Sequence, residues 1–492
     1  MSSETVYDYI IIGAGPSGLS FAHMISSSRV NDKILLIDRE AEIGGIHRVK
    51  RVLNDGEELF SEHGPRIYST NYINTIKIFK EAGIDFYKSF APYSFSVTEI
   101  SSQALDNYTF REKLLLFKDL TLLIFNNNHL GSTTVEQYLD SNNFSERAKD
   151  FSDRLCRLTD GGCAKTYTMN EFLELVNQHS LYQIYQPKLP NDVGIFKTWK
   201  EYLDNKITFQ LNTKVQDVKV KEQLKDLDNL DSLKIIRTDK GIFQCKNLVL
   251  AIPPENLLQI LKNSNLETIF GENLEQKVNK TKYMTYISIT FHWNKKLELP
   301  KIYGFPKSDW GVVFVKMSDY MYFKESNSKT VISAAISKLD TKSQTIGKSA
   351  NETGDVQELL QETFNQLNKQ FEGQLPLPTV SLLSPNIYRI DNTWKDTDKA
   401  FMSDGYTIIP NTSFVPGIYS LGCHNENSPY KFTSMEAAVT NSMHLVTELR
   451  PELKRLYSPQ RAYYLRDIIY LILILVISYV IYRMNGVVSM KK

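Results

Sequence analysis

Three glycines and one acid near the start of the chain stand at a spacing that suits phosphate chemistry. An apolar run, Tyr7 to Ile12 (YDYIII), leads straight into Gly13-Ala14-Gly15-Pro16-Ser17-Gly18. Helical residues Leu19 to Ser26 follow, and a second apolar run, Lys33 to Ile37, ends at Asp38, twenty residues after Gly18. Gly13 permits a tight strand-to-helix turn, and Gly15 lets the main chain approach a pyrophosphate. Gly18 lets the helix pack on the sheet, and that helix turns its positive N-terminal end to the phosphates. A carboxylate at Asp38 suits both hydroxyls of a ribose. A bare GxGxxG would say little; strand, glycine turn, helix, strand and acid in register point to a dinucleotide-binding fold.

The elements that must hold such a site recur along the chain. Gly194 to Tyr202 reads as a helix, and Lys206 to Lys221 alternates like strands. Leu233 to Thr238 and Gly241 to Cys245 read as a hairpin, and Asn247 to Ile252 as a separate buried strand closed by Pro253-Pro254. Gly417 to Leu421 reads as a strand meeting Gly422, and Ser434 to Leu449 as a helix. Between these pieces, Tyr108 to Asn177 is helix-rich, whereas Tyr283 to Trp293 and Gly311 to Leu339 are strand-like and aromatic. Thr341 to Asp355 reads as a polar loop and Val356 to Phe371 as a helix. No internal repeat is visible. The expectation is an α/β chain in which a Rossmann-type domain is interleaved with a mixed α+β domain.

Three separated motifs carry a resemblance to the flavin-containing amine oxidase and phytoene desaturase superfamily. They are Gly13 to Gly18 with Asp38 and Glu42-Ile43-Gly44-Gly45; the strand ending Ala251-Ile252-Pro253-Pro254; and Gly417-Ile418-Tyr419-Ser420-Leu421-Gly422 with the helix beginning Met435-Glu436-Ala437-Ala438. The similarity runs to about Leu449. The resemblance implies FAD, with Gly13, Gly15, Pro16, Ser17 and Gly18 at its pyrophosphate and Asp38, flanked by Arg39, at its adenosine ribose. It implies that Gly44 and Gly45 pass close to the ribityl chain and phosphate, and that Gly64, Pro65 and Arg66 run beside the flavin ring. Val215 would meet the adenine through its backbone. Arg48 would either neutralise phosphate charge or be an ordinary surface arginine. Gly422 and the amides near Ser434 and Met435 would face the flavin N1/C2 edge, where a positive helix end stabilises charge arriving with a hydride. The resemblance further divides the chain into FAD-binding parts at 1–95, 191–282 and 401–450 and substrate-domain parts at 96–190 and 283–400. A linker at 451–467 and an apolar segment at 468–488 complete the division.

The departures from the family pattern bear on the substrate. Cys423 and His424 stand where an acid or threonine is common after the glycine, with Asn425 or Glu426 able to take over the hydrogen bonding. Ser434 replaces one aromatic wall of the amine cage, and Trp394 resembles the neighbourhood of the other. Lys280 and Lys282 match the family's lysine by neighbourhood only, and no catalytic residue is assigned. No Ser-Gly-Gly-Cys segment is present, which implies non-covalent FAD. The leading expectation is an FAD-dependent oxidoreductase that takes a hydride from an amine or alkene-type small molecule onto flavin N5. The alternatives are a non-redox flavoenzyme resembling UDP-galactopyranose mutase and a flavin-free, escort-like binding protein.

Composition sets outer bounds. With 492 residues, 42% hydrophobic and 23% charged, the chain is globular and neither disordered nor fibrous. A formal net charge of +1 supplies no field for nucleic acid. Cys156, Cys163, Cys245 and Cys423 form no CxxC pair, so they read as free thiols without a metal site. From Ile468 to Tyr482 no charged residue interrupts an apolar run, and extending it past Arg483 to Val488 reaches the ~20 residues that span a bilayer. Tyr463, Tyr464 and Tyr482 would be interfacial aromatics. The expectation is a single-pass C-terminal anchor, with the large domain facing the cytosol from the endoplasmic reticulum or the mitochondrial outer membrane. A buried core helix is the alternative. Oligomeric state is not encoded in any feature of the sequence.

Overall fold

Apolar strands flanking glycine turns stack here into one twisted sheet. The computed structural model describes residues 5–27, 32–64, 66–93, 106–126, 128–160, 162–221, 233–299, 307–323, 326–399, 402–403, 409–425, 427–430 and 433–489. Val6–Ile12 lies at the centre, parallel to Ile34–Ile37 on one side and to Gly241–Leu250 on the other. Thr208–Gln210 extends the sheet beyond Ile34–Ile37. Leu233–Thr238 adds antiparallel to the first half of Gly241–Leu250 and Val215–Lys221 adds antiparallel to Leu233–Thr238, while Ile418–Ser420 runs parallel to the second half of Gly241–Leu250.

The two strands expected at Gly241 to Cys245 and Asn247 to Ile252 are therefore one ten-residue strand. The charged Lys246 that separates them in sequence does not break the ladder, because its amine reaches the Asp8 carboxylate at 2.8 Å outside the sheet. Pro16–Ile25 and Met435–Leu449 pack together on one face, and Ser442 Oγ donates to the Ser17 carbonyl at 3.0 Å. Pro254–Asn263 and Leu274–Lys280 cover the other face.

The remaining lobe has two cores. Val313–Lys316, Thr330–Ile336, Ile287–Trp293 and Val380–Leu383 form an antiparallel sheet that packs against the helix Val356–Lys369. Phe110–Leu122, Val135–Ser141, Glu146–Asp160 and Met169–His179 form a helical cluster. Three of these helices start in capping boxes, Thr109 with Glu112, Thr134 with Gln137 and Thr168 with Glu171, which satisfy their first amides locally.

Residues 451–467, expected as a linker, are docked on the sheet domain. Leu453, Tyr457 and Tyr464 are buried, and Asn74 exchanges hydrogen bonds with the Gln460 backbone at 2.8 and 2.9 Å. Helix Leu465–Ser489 follows. Its segment Leu465–Met484 has a mean hydropathy of 2.1 and, past a base where Leu465 is partly buried, stands outside the core, so the core-helix alternative does not hold.

Candidate functional site

Where the first strand, the last helix and the second lobe meet, a cavity of 840 Å³ opens. Its glycine end is shaped by main chain. Gly13 has φ +109°, and a Cβ there would collide with the Ala251 carbonyl oxygen. A Cβ at Gly18 would strike the Gly13 carbonyl, so Gly18 serves the contact of helix and turn. Gly45 (φ +56°) approaches Gly15 so closely that a Cβ on it would lie 3.0 Å from the Gly15 Cα. Asp38 closes this end. One oxygen accepts the Ala14 N–H at 2.6 Å and the other the Glu40 N–H at 2.9 Å. Burial pushes its carboxyl up, and the Ala14 amide, Arg48 and Arg39 act against that.

Arg48 is 7% exposed, which removes the surface-arginine alternative. Its guanidinium binds both Asp398 oxygens at 3.0 Å and Glu40 at 3.2 Å. Arg39 binds Glu40 at 2.9 Å and reaches Asp398 at 3.4 Å. Two arginines are thus held by two carboxylates along one wall.

The other end is built from buried side chains. The Gly422 amide donates to Asn425 Oδ1 at 2.7 Å, and Asn425 Nδ2 donates to the Ile409 carbonyl and Ser420 Oγ, both at 2.9 Å. Asn425 therefore braces the turn from behind instead of reaching into the cavity; Glu426 lies outside the described residues. The His424 ring folds back over Gly422, where a Cβ would lie 2.5 Å from Cε1. Its Nε2 is buried without a protein partner among the described residues, and burial holds the imidazole down at about 4, so it is neutral. Burial raises the Cys423 thiol to about 11, and the sulfur lies 3.7 Å from the Ser434 carbonyl.

Ser434 caps helix Met435–Leu449, accepting the Ala437 amide at 3.1 Å on Oγ, and the amides before it point out of the helix start. Glu436 turns the opposite way. It accepts the Asn74 and Thr75 amides at 3.0 and 2.8 Å, together with Asn74 Nδ2 and Thr75 Oγ1. The N-cap of helix Ile73–Glu81 is Tyr72, which has no side-chain cap, so Glu436 supplies it from another element. Desolvation nevertheless raises this carboxyl to about 7.

Beyond the helix start, Tyr68, Tyr72, His179, Leu155, Leu175 and Tyr286 wall the cavity. Tyr72 lies edge-on to His179 at 6.1 Å and to Tyr430 at 5.7 Å. Burial depresses His179 to about 4. His63 borders the cavity and its Nε2 is 2.7 Å from Asp396, both buried. Beneath it Glu62 accepts the Asn191 amide at 2.9 Å, and burial raises its carboxyl to about 7.

Of the residues expected at the cofactor, Gly13, Gly15, Pro16, Ser17, Asp38, Arg39, Gly45, Arg48, Arg66, Val215, Gly422, Ser434 and Met435 border this cavity. Gly18, Gly44 and Gly64 do not. Gly44 (φ +119°) faces the Phe196 ring, and a Cβ at Gly64 (φ +116°) would lie 2.8 Å from Ser288 Oγ. The segment reaches the cavity through His63 and Arg66 instead. Pro65 lies outside the described residues. Arg66 is fixed by donating to the Ile46 carbonyl at 2.5 Å.

Trp394 is not a cavity wall. Its indole donates to the Ala350 carbonyl at 3.0 Å inside the antiparallel-sheet core, because a large ring in the hairpin Ile387–Asp396 finds apolar cover there. Lys280 ends a surface helix, and Lys282 starts a two-residue strand beside Met402–Ser403. Two lysines among the described residues border the cavity, Lys214 and Lys399, and Lys399 pairs with Glu255. Tyr68, Tyr72, His179, Asp398 and Lys399 carry no motif by which the sequence reading could have found them.

Comparison with known proteins bears on the same architecture. A family model described as an NAD(P)-binding Rossmann-like domain matches residues 11–82. No curated protein matches the sequence. Among solved structures, cyclohexylamine oxidase from Brevibacterium oxydans IH-35A is similar at 14% identity and a TM-score of 0.62, covering 92% of this chain and 100% of its own. Wild-type putrescine oxidase bound to putrescine matches at 14% identity and a TM-score of 0.59, over 90% of this chain and 99% of that one. An oxidoreductase from Methanosarcina mazei matches at 12% identity and a TM-score of 0.59, over 89% and 99%. The chain therefore has, over nearly its whole length, the fold of the flavin amine oxidases.

Proposed function

We propose that this chain is an FAD-dependent oxidoreductase that takes a hydride from an amine or alkene-type substrate and is held to a membrane by its C-terminal helix. The observation that carries the reading is one cavity with Gly13, Gly15, Asp38 and Val215 at one end and the start of helix Met435–Leu449 at the other. The residues fit the cofactor. A turn without Cβ atoms leaves room for a pyrophosphate, an aligned carboxylate suits ribose hydroxyls, and the buried His424 Nε2 lacks a protein partner. Bound FAD supplies a two-electron acceptor.

The chain's own residues position and shield. Asp38 and the glycine turn bind the nucleotide half, and the first-turn amides of Met435–Leu449 stabilise negative charge at the ring edge. Tyr68, Tyr72, Leu155 and Leu175 exclude water from the reacting end. The carboxylates bordering the cavity, Asp38, Glu40 and Asp398, gather around Arg39 and Arg48, while Glu436 points away. That distribution supports a neutral, apolar substrate over a polycation. Arg39, Arg48 and Arg66 are each held by protein oxygens, which weighs against a nucleotide-sugar diphosphate as substrate. The protonated Cys423 thiol supports non-covalent FAD.

Purified protein should be yellow, acid precipitation should release the colour, and anaerobic titration with polyenes or amines should bleach it. A colourless protein would refute the flavin reading, and a flavin that no amine or polyene bleaches would refute the substrate class.

A further inference from the structure

The helix Phe110–Leu122 carries its apolar residues on two opposite faces. The inner face is that of an ordinary core helix, with Glu112, Asp119, Leu120 and Leu123 buried. The outer face exposes Phe110 (76%), Leu114 (53%) and Phe117 (59%), and Phe125 (72%) follows just past the helix end. Their spacing puts them on one stripe. Four large apolar side chains at that exposure form a patch that water does not favour.

Two observations identify what covers it. The first is continuity with the terminal helix. Helix Leu465–Ser489 contacts helix Phe110–Leu122, and Leu465 packs on the same core as Leu115 and Leu116. The exposed Tyr463 (75%) and Leu181 (41%) lie at the base of that terminal helix, where Tyr182 donates to the Tyr463 carbonyl at 2.7 Å. The second is charge. Both acids of the helix are turned inward and held there. Glu112 closes the capping box and accepts the Ser145 amide at 2.5 Å, and Asp119 binds His129 at 2.9 Å and Tyr138 at 2.5 Å. The charged residues left toward solvent are the cations Arg111, Lys113 and Lys118. An apolar stripe edged by cations, beside a helix long enough to cross a bilayer, has the chemistry of a surface lying in a lipid interface.

We propose that the outer face of Phe110–Leu122, continued by Phe125, is a second membrane-contacting surface that embeds in the headgroup and acyl boundary beside the terminal helix. It rests on the anchor reading, and it adds a fixed orientation: the helical part of the second lobe, whose helices Glu146–Asp160 and Met169–His179 carry the cavity-lining Leu155 and Leu175, is pressed to the lipid.

The test uses full-length protein in vesicles of phosphatidylcholine and phosphatidylserine, with and without brominated phosphatidylcholine. The four native tryptophans, Trp199, Trp293, Trp310 and Trp394, are all buried and give a background that bromine does not reach. Phe117→Trp should add emission that brominated lipid largely removes, as it should for Tyr479→Trp in the terminal helix. Leu377→Trp, at a site 72% exposed on the other sub-lobe, should keep its emission. Quenching at 479 without quenching at 117 overturns the second surface and leaves the anchor standing. Quenching at neither position overturns both. Blue-shifted emission at 117 that brominated lipid leaves untouched assigns the stripe to a protein surface such as a second copy, and equally overturns the proposal.

Discussion

At the glycine end of the cavity, position is enforced by main chain; at the tyrosine end, it is enforced by buried side chains that brace one another across elements. Gly13, Gly15, Gly18 and Gly45 work by lacking a Cβ, and their tolerances are those of hard contact between backbone atoms. Glu436 works by hydrogen bonds that stitch helix Met435–Leu449 to helix Ile73–Glu81, far away in sequence, while Asn425 and Ser434 brace the Gly422 turn and the helix start from nearby. The difference teaches where each end is vulnerable. A glycine end fails by steric collision at single positions. A braced end fails through the loss of a partner, and its damage spreads to every element that partner held.

The largest effect is expected at the braced end. Glu436→Ala removes an acceptor shared by two amides and two side chains and uncaps helix Ile73–Glu81, which should cost about 4 kcal/mol. Chemical denaturation reads it directly, and a loss below 1 kcal/mol would show that water replaces the carboxylate. At the glycine end, Gly18→Ala forces a Cβ onto the Gly13 carbonyl and should cost about 3 kcal/mol with loss of bound flavin. If flavin content is unchanged in that variant, the close packing of turn and helix is not what shapes this end.

A pH series sharpens the comparison, because the buried acids lie at the braced end. Desolvation raises Glu62 from 4.5 to about 7, so its protonated form is the one the fold favours. The stability it contributes is present below about pH 4.5 and is lost as pH rises through 7, a swing of up to about 3 kcal/mol. Glu62→Gln should abolish that decline, and the melting temperatures of the two proteins should diverge between pH 4.5 and 7. Parallel melting curves across that window would remove Glu62 as a source. The smallest effect belongs to Asp38→Ala. It should leave folding intact and weaken FAD by about 2 kcal/mol, a factor of about 30, through lost hydrogen bonds to ribose. Equal loss of substrate affinity in a flavin titration would mean that the carboxylate is not confined to the nucleotide end.

Legibility in the sequence follows the same division. The parallel strands at Val6–Ile12 and Ile34–Ile37, the turn between them and the final strand and helix were readable because each needs a particular residue type at a particular step. The run from Gly241 to Leu250 reads as two strands because the charged Lys246 interrupts it, and the exit of Lys246 to Asp8 exists only in the folded sheet. Resemblance to the family's amine cage puts Trp394 near one wall, although its hairpin folds it into another core. Spacing alone allows Arg48 two roles, and the carboxylate that holds it in the interior, Asp398, is 350 residues away.

The sequence by itself determined the glycine end, since a missing Cβ, a helix start and an acid after a strand are local properties that spacing alone can specify. It likewise determined an apolar terminal segment, because hydropathy needs no neighbours. Tertiary structure alone decided the tyrosine end, the burial of Glu62 and Glu436, the pairing of Arg48 with Asp398 and the outward face of Phe110–Leu122. Each of those depends on which surfaces meet, and desolvation and pairing act only between groups that folding has already brought together.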